Sequence, residues 1–279
     1  TKLGTGEWMV VEADESDGTF LKLPATISTI TNIDKEHLDY YKSFSILKKS
    51  FKKFITQVPF YGFSVVCNDD PYLKKLITDI KSTSIIKYGF SKNSDIRALN
   101  VRVKNDCVVF DIENNKIKKN KKIIKNYQLP MLGSYNILNA LAAISVSLEL
   151  DISIKDIQKA LSHFSGVSRR LDYHQELTIN NQNIPLFDDY GHHPNEISEV
   201  FSTLRNTFPE KRLVVIFQPH RYSRTRDLFN EFVSSLSKVD ALILLNIYSA
   251  NEAPINTISS STLADSIRRR SSIDPIVAK

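Results

Sequence analysis

Short apolar, β-branched runs alternate along this chain with longer stretches of helical period, and that alternation leaves few folds open. "GFSVVCNDD" (Gly62–Asp70), "IPLFDDY" (Ile184–Tyr190), "RLVVIFQPH" (Arg212–His220) and "ALILLNIY" (Ala241–Tyr248) each read as a strand that breaks into polar residues. "WMVVEAD" (Trp8–Asp14) and "ATISTITNID" (Ala25–Asp34) are expected to add two more. Between such runs, apolar residues recur at three- and four-residue spacing, as at Phe44, Leu47, Phe51, Phe54, Ile55 and Val58, which predicts an amphipathic helix. Strand–helix alternation builds a mainly parallel, doubly wound sheet, in which ligands bind beyond the carboxyl ends of the strands.

Local chemistry marks several boundaries. Asp70 followed by Pro71 predicts a helix start, and Ser153 with Asp156 resembles a capping box. From Asp95 to Gln128 shorter alternation predicts an antiparallel meander, with turn signals at Lys104–Asp106 and Asn114–Asn115. A domain boundary is expected in "SGVSRRLDY" (Ser165–Tyr173), since a second strand–helix series follows it.

At 279 residues the chain has room for two domains. Its net charge of +6 is weighted toward "NKIKKNKKIIKN" (Asn115–Asn126), which reads as a solvated face, an anionic partner being the other reading. A nucleic-acid partner is not expected. Neither is a membrane span, because runs such as "LVVIF" are far too short. The opening "TKLGTGEWMVVEADESD" has no Met and reads as the interior of a longer protein; no basic-then-apolar leader suggests export. Cys67 and Cys107 are isolated in strand-like segments, so reduced thiols and a cytoplasmic setting are expected. Neither G-x-x-x-x-G-K-[ST] nor G-x-G-x-x-G occurs, so the usual phosphate cradles are missing from these residues.

Polar clusters stand where the strands end. Glu12, Asp14, Glu15 and Asp17 repel one another unless solvated or bound to a cation. His37 and Asp39 follow the next strand, and Glu12 with His37 could hold a magnesium ion, although helix caps use the same residue types. "FQPHRYSRTRD" leaves His220, Arg221, Arg224 and Arg226 before a helix; Arg221 and Arg224 can converge on a carboxylate or phosphate, a solvated basic loop being the alternative. "DDYGHHP" gathers Asp188, Asp189, Tyr190, His192 and His193. Arg169 and Arg170 lie at the expected boundary, and Asn136 and Asn139 near a helix start. No G-x-S-x-G elbow occurs and neither cysteine has a neighbouring histidine, which disfavours covalent nucleophilic catalysis.

Taken in order, "EADESDGTFLKLPATISTITNIDKEHLDYY", "VPFYGFSVVCNDDP", "GSYNILNALAA", "FSGVSRRLD", "DDYGHHPNE" and "FQPHRYSRTRDLFNEF" resemble the ATP-dependent Mur ligases over nearly the whole chain. The last two are the most specific and point to the member that joins L-alanine to UDP-N-acetylmuramate in peptidoglycan precursor synthesis. The resemblance implies an α/β chain. Residues 1–168 would form part of a central ATP-binding domain, with a parallel sheet plus the small antiparallel meander. Residues 169–279 would form a doubly wound, Rossmann-like C-terminal domain. It implies a carboxylate that attacks the γ-phosphate of ATP to give an acyl phosphate, which the alanine amine then attacks. Charge builds on phosphate oxygens in both steps, so fixed cations are needed there.

By the same resemblance, Glu12 and His37 would hold magnesium. Asn136 and Asn139 would flank the adenine, Arg170 would face the γ-phosphate and Asp189 the ribose. Tyr190, His192, His220, Arg221 and Arg224 would line the cleft where the two acids meet, with His192, His220 and Arg170 serving catalysis. Three departures follow. Tyr135 stands where the family usually has His. Some relatives use a carbamylated lysine, and none of Lys48, Lys49, Lys52 and Lys53 in "SILKKSFKKF" is assigned that role. A UDP-binding domain and a P-loop are absent from these residues and the C-terminal domain is expected to be incomplete, so the chain would need a separate N-terminal segment carrying the P-loop. The rival readings are a non-catalytic remnant or binding module and the sister muropeptide ligase.

Overall fold

The computed structural model describes residues 4–104, 107–116 and 122–278, and the chain divides into two compact units. One takes in Thr1–Arg102, Val109–Gln128 and Ile137–Ser162; the other Val103–Val108, Leu129–Asn136 and His163–Lys279.

The first unit is organised by a six-stranded sheet in simple sequential order: β1 (Ile27–Ile30), β2 (Phe63–Cys67), β3 (Ile85–Gly89), β4 (Ile96–Lys104), β5 (Cys107–Asn114) and β6 (Lys122–Leu129). The pairings from β1 through β4 are parallel. The last three strands form the expected meander, since connections so short cannot carry a parallel crossover. The turn expected at Lys104–Asp106 lies largely outside the described residues, as does much of the lysine-rich stretch.

Helices α1 (Leu38–Tyr41), α2 (Phe44–Thr56), α3 (Pro71–Leu76), α4 (Ser134–Glu149) and α5 (Ile154–Ser162) follow the sequence pattern closely. Ser43 caps α2, and the periodic apolar stripe puts Leu47, Phe54 and Ile55 in the core. Asp70 Oδ1 accepts from Leu73 N at 2.7 Å, with Pro71 in the first turn of α3. Ser153 Oγ accepts from Asp156 N at 3.2 Å and donates to Asp156 Oδ2 at 2.6 Å, the N-cap half of the expected capping box. The buried hydroxyls of Ser28 and Ser64 meet at 2.7 Å between β1 and β2, and Ser64 also donates to Ile55 O. Buried polar groups without such partners would cost stability.

Trp8–Asp14 is not a strand. It has no regular structure; Met9 is 86% and Val10 97% exposed. β-Propensity measures how well a residue fits a pleated, half-buried surface, and it builds no strand without a neighbouring ladder. Among the described residues nothing pairs with this run, and β1 is the end of the strand order.

The second unit opens with a hairpin, β7 (Asp172–Ile179) and β8 (Gln182–Asp188), followed by α6 (Pro194–Thr207), β9 (Val214–Phe217), α7 (Tyr222–Asp227), α8 (Phe229–Leu236), β10 (Ala241–Leu244), α9 (Ser260–Arg270) and β11 (Ile276–Val277). β10 pairs in parallel with both β9 and β11. Ile197, Phe201, Phe217, Phe232, Leu236 and Leu263 are among the residues of its core.

The mixed α/β class with a parallel-dominated sheet is as expected, with differences of detail. "IPLFDDY" lies in the antiparallel hairpin, outside the parallel sheet. Asn180 and Asn181 both have positive φ, 49° and 61°, which is what a two-residue turn matched to strand twist demands. Asn tolerates that region, so the local turn closes the pair Ile179↔Gln182. Arg224 and Arg226, expected before a helix, lie within α7, which ends at Asp227 before α8 begins. Cys67 and Cys107 are free. Among the described residues no helix is long and apolar enough to cross a membrane.

Candidate functional site

The stretch after β8 folds back on itself. Asp189 accepts from Gly191 N and from Leu171 N, each at 2.7 Å, and burial pushes its carboxyl above the usual range. A Cβ on Gly191 would stand 2.6 Å from Asp189 Oδ1, so only glycine lets the carboxylate close on that amide. His193 caps α6 and completes a capping box with Glu196, a structural role. Glu196 also takes the amide of His192 at 3.1 Å and the guanidinium of Arg170 at 3.1 Å. Tyr190 and His192 are left facing outward, their rings 5.5 Å apart and edge to face.

The loop after β9 meets this one. The rings of His192 and His220 are 6.3 Å apart. Arg224 Nη1 donates to His220 O at 3.3 Å and faces His220 Nδ1 at 3.4 Å. Burial, then the charges of Arg224, His192 and Arg221, hold His220 below its ordinary value. His220 is therefore neutral near pH 7, with one ring nitrogen able to accept a proton. Arg221 is exposed and precedes α7 with φ 71° and ψ 137°. Tyr190, His192, His220 and Arg221 thus belong to two touching loops at strand ends, and Arg224 follows in the first turn of α7.

Sequence reading missed Tyr248 and Glu252. Tyr248 stacks on His220, centroids 5.2 Å apart, and Glu252 accepts from Ser223 N at 2.9 Å and Ser223 Oγ at 2.6 Å. The rule that sites gather at strand ends would have flagged Tyr248, which closes "ALILLNIY". Glu196 was equally legible, three residues after His193.

Arg170 lies between Arg169 and Leu171, both of positive φ (59° and 47°), and its guanidinium is held by Glu196. Within the second unit, Arg170 and Asn136 line a cavity of about 430 Å3 whose other walls include Met131, Tyr173, Phe187 and Phe208. Asn136 is buried and donates to Leu132 O at 2.7 Å. Asn139, one helical turn on, is exposed. The hydroxyl of Tyr135 is buried without a hydrogen-bond partner, and burial pushes its pKa to about 12. An aromatic-walled cavity holding a carboxamide and a guanidinium suits a planar, anionic ligand.

In the first unit His37 Nε2 lies 3.6 Å from Glu15 Oε1 and 3.7 Å from Glu36 Oε2. These three offer ligand atoms within 4.8 Å of one another. Glu12, the predicted partner of His37, is exposed, and the carboxylates recorded beside His37 are Glu15 and Glu36. Two carboxylate oxygens with one imidazole fit a hard divalent cation in chemistry.

Comparison with known proteins places this geometry among relatives. The Mur ligase middle domain profile matches residues 4–147, and the Mur ligase, glutamate ligase domain profile matches residues 169–278. The UDP-N-acetylmuramate–L-alanine ligase of Vesicomyosocius okutanii is 52% identical over 279 residues, covering 100% of this chain and 58% of that protein. The ligase of the same name from Hydrogenovibrio crunogenus is 45% identical over 270 residues, covering 96% and 57%. Among solved structures, the UDP-N-acetylmuramate–alanine ligase MurC of Thermotoga maritima superposes with a TM-score of 0.72 at 24% identity, over 95% of this chain and 54% of that one. MurF of the same organism, solved in complex with ADP, gives 0.67 at 15% identity, over 92% and 53%. The chain thus spans somewhat more than half the length of the curated relatives it matches.

Proposed function

The chain belongs to the Mur ligase family, and we propose that it serves the ATP-driven joining of L-alanine to the carboxylate of UDP-N-acetylmuramate in peptidoglycan precursor synthesis. The observation that carries the reading is the meeting of His192 and His220 on adjoining loops, with Arg221 at the start of α7 and Arg224 within it. In this reading residues 1–168 belong to the ATP-binding domain and residues 169–279 to the amino-acid-binding domain, and the work is cytoplasmic.

Each residue then has a task. Arg221 and Arg224 take the carboxylate of the incoming amino acid, for which a forked guanidinium is the best-matched donor. The alanine ammonium must lose a proton before its nitrogen can attack an acyl phosphate. His220, held neutral, is the acceptor within reach, and His192 and Tyr190 form the facing wall. Asn136 and Asn139 would meet the adenine, Asp189 the ribose and Arg170 the phosphates, the cavity beside Asn136 and Arg170 supporting the first and last of these.

Magnesium would be held through His37 with carboxylates from Glu12, Glu15 and Glu36, and when bound it offsets negative charge on phosphate oxygens. No P-loop sequence occurs in these 279 residues, so the phosphate-cradling amides are assigned to residues outside them.

The test is phosphate release from ATP with UDP-N-acetylmuramate and L-alanine, run on this chain alone and with a P-loop-bearing N-terminal segment added in trans. Release that depends on both alanine and the added segment is the expected result. Silence in both, from a chain shown to be folded, would leave a binding module in place of a ligase.

A further inference from the structure

One loop of the second unit, Leu245–Glu252 after β10, grips the arginine-bearing loop at four points. Asn246 O accepts from Gln218 Nε2 at 3.1 Å, and Tyr248 N donates to Pro219 O at 2.8 Å. Tyr248 O accepts from Arg221 N at 2.8 Å. Glu252 closes the grip with both carboxylate oxygens, one on Ser223 N and one on Ser223 Oγ. Arg221 sits between the last two contacts with φ 71°, a backbone conformation L-residues rarely adopt. Such a conformation persists only where its surroundings over-determine it.

We propose that Glu252 is a positioning residue for the carboxylate-binding arginines: by anchoring Ser223 it holds Arg221 in its strained conformation and aims Arg221 and Arg224 at the amino-acid substrate. The proposal rests on the reading of those arginines given above. Glu252 cannot itself receive the substrate carboxylate, since its own charge is of the same sign and both its oxygens are engaged. Burial opposes its ionisation, yet the Ser223 bonds and the Arg221 charge keep its carboxyl below the usual range, so it remains an anion at neutral pH. Fixing the backbone two residues from a guanidinium matters because a small misplacement of a charged fork forfeits its paired bonds.

The experiment is a titration of the 279-residue chain with L-alanine, read at the side-chain N–H signals of Arg221 and Arg224 by NMR, with L-alaninamide as the control lacking a carboxylate. Glu252→Ala is expected to weaken L-alanine binding about tenfold or more, while the thermal midpoint and the weak response to alaninamide stay put. Glu252→Gln, which keeps an acceptor for Ser223, is expected to recover most of the affinity. Equal affinity in wild type and Glu252→Ala would overturn the positioning role and leave the arginine site intact. A loss of affinity matched by a fall in thermal midpoint, and not restored by Glu252→Gln, would reduce Glu252 to a structural anchor. Absence of any L-alanine response in the wild-type chain would overturn the arginine site itself, and the role of Glu252 with it.

Discussion

His220 is flanked by the guanidinium of Arg224 and the imidazole of His192, and its proton affinity follows from that company. Burial is the larger cause of its depression and the neighbouring cations the next. Its imidazole C–H titration is therefore expected to have a midpoint below 6.5, and Arg224→Ala to move it upward; a midpoint at or above 6.5 in the wild type would refute the neutral-base role. The sign for stability follows: an unfolded chain takes up this proton below pH 6.5 while the folded one resists, so the contribution is complete above 6.5 and lost as pH falls through the depressed value. Asp189 makes a second case at this scale. Its carboxylate satisfies two backbone donors, so Asp189→Ala should cost the second unit about 2–3 kcal/mol in urea unfolding, and Asp189→Asn less. Both residues were visible in the sequence as ionisable groups at strand ends. Arg224, four residues after His220 in the same motif, was legible with it; His192 beside His220 and Leu171 beside Asp189 were not, because chain reversals that no local pattern encodes bring them there.

At the scale of the element, legibility follows the range of the cause. Caps and apolar stripes act within one or two turns: α3 and α5 begin where Asp70 and Ser153 say they should, and Ser43 caps α2 at the start of its apolar stripe. Asp70→Ala is expected to cost about 1 kcal/mol through the lost cap of α3, measurable by chemical denaturation, with Asp70→Asn nearly neutral. Helix α9 depends instead on what it packs against: Leu263 is fully buried among the core of the second unit, and Leu263→Ala should cost about 2–5 kcal/mol. Strands are read less surely. The β8 hairpin escaped the sequence analysis because two adjacent asparagines at positive φ outweighed a pattern that suited a parallel strand equally well. Trp8–Asp14 failed for the opposite reason, having β-propensity without a partner.

Across the whole molecule, exposed apolar surface is the property with measurable consequences. Ile216 pairs with Ile243, which pairs with Ile276, so one row crosses β9, β10 and β11; Ile216 is 66% exposed at its end, on the face away from the helices. This row is expected to bind a hydrophobic dye and to promote self-association. Ile216→Lys should reduce the dye signal without lowering the thermal midpoint, because that side chain buries little; an unchanged signal would place the dye elsewhere. What the sequence determined by itself was whatever one or two turns of chain can decide: the helices and their caps, the alternation that selects an α/β fold, and which chemical groups stand at strand ends. What only the tertiary structure decided was company. Tyr248 stacked on His220 and Glu252 fastened to Ser223 arise because the parallel neighbours β9 and β10 bring their ends together across long stretches of sequence, and Glu15 reaches His37 by chain folding outside the sheet. Spacing along a chain cannot encode such neighbours, since side-chain attraction acts over a few ångströms of space and is indifferent to the number of residues between.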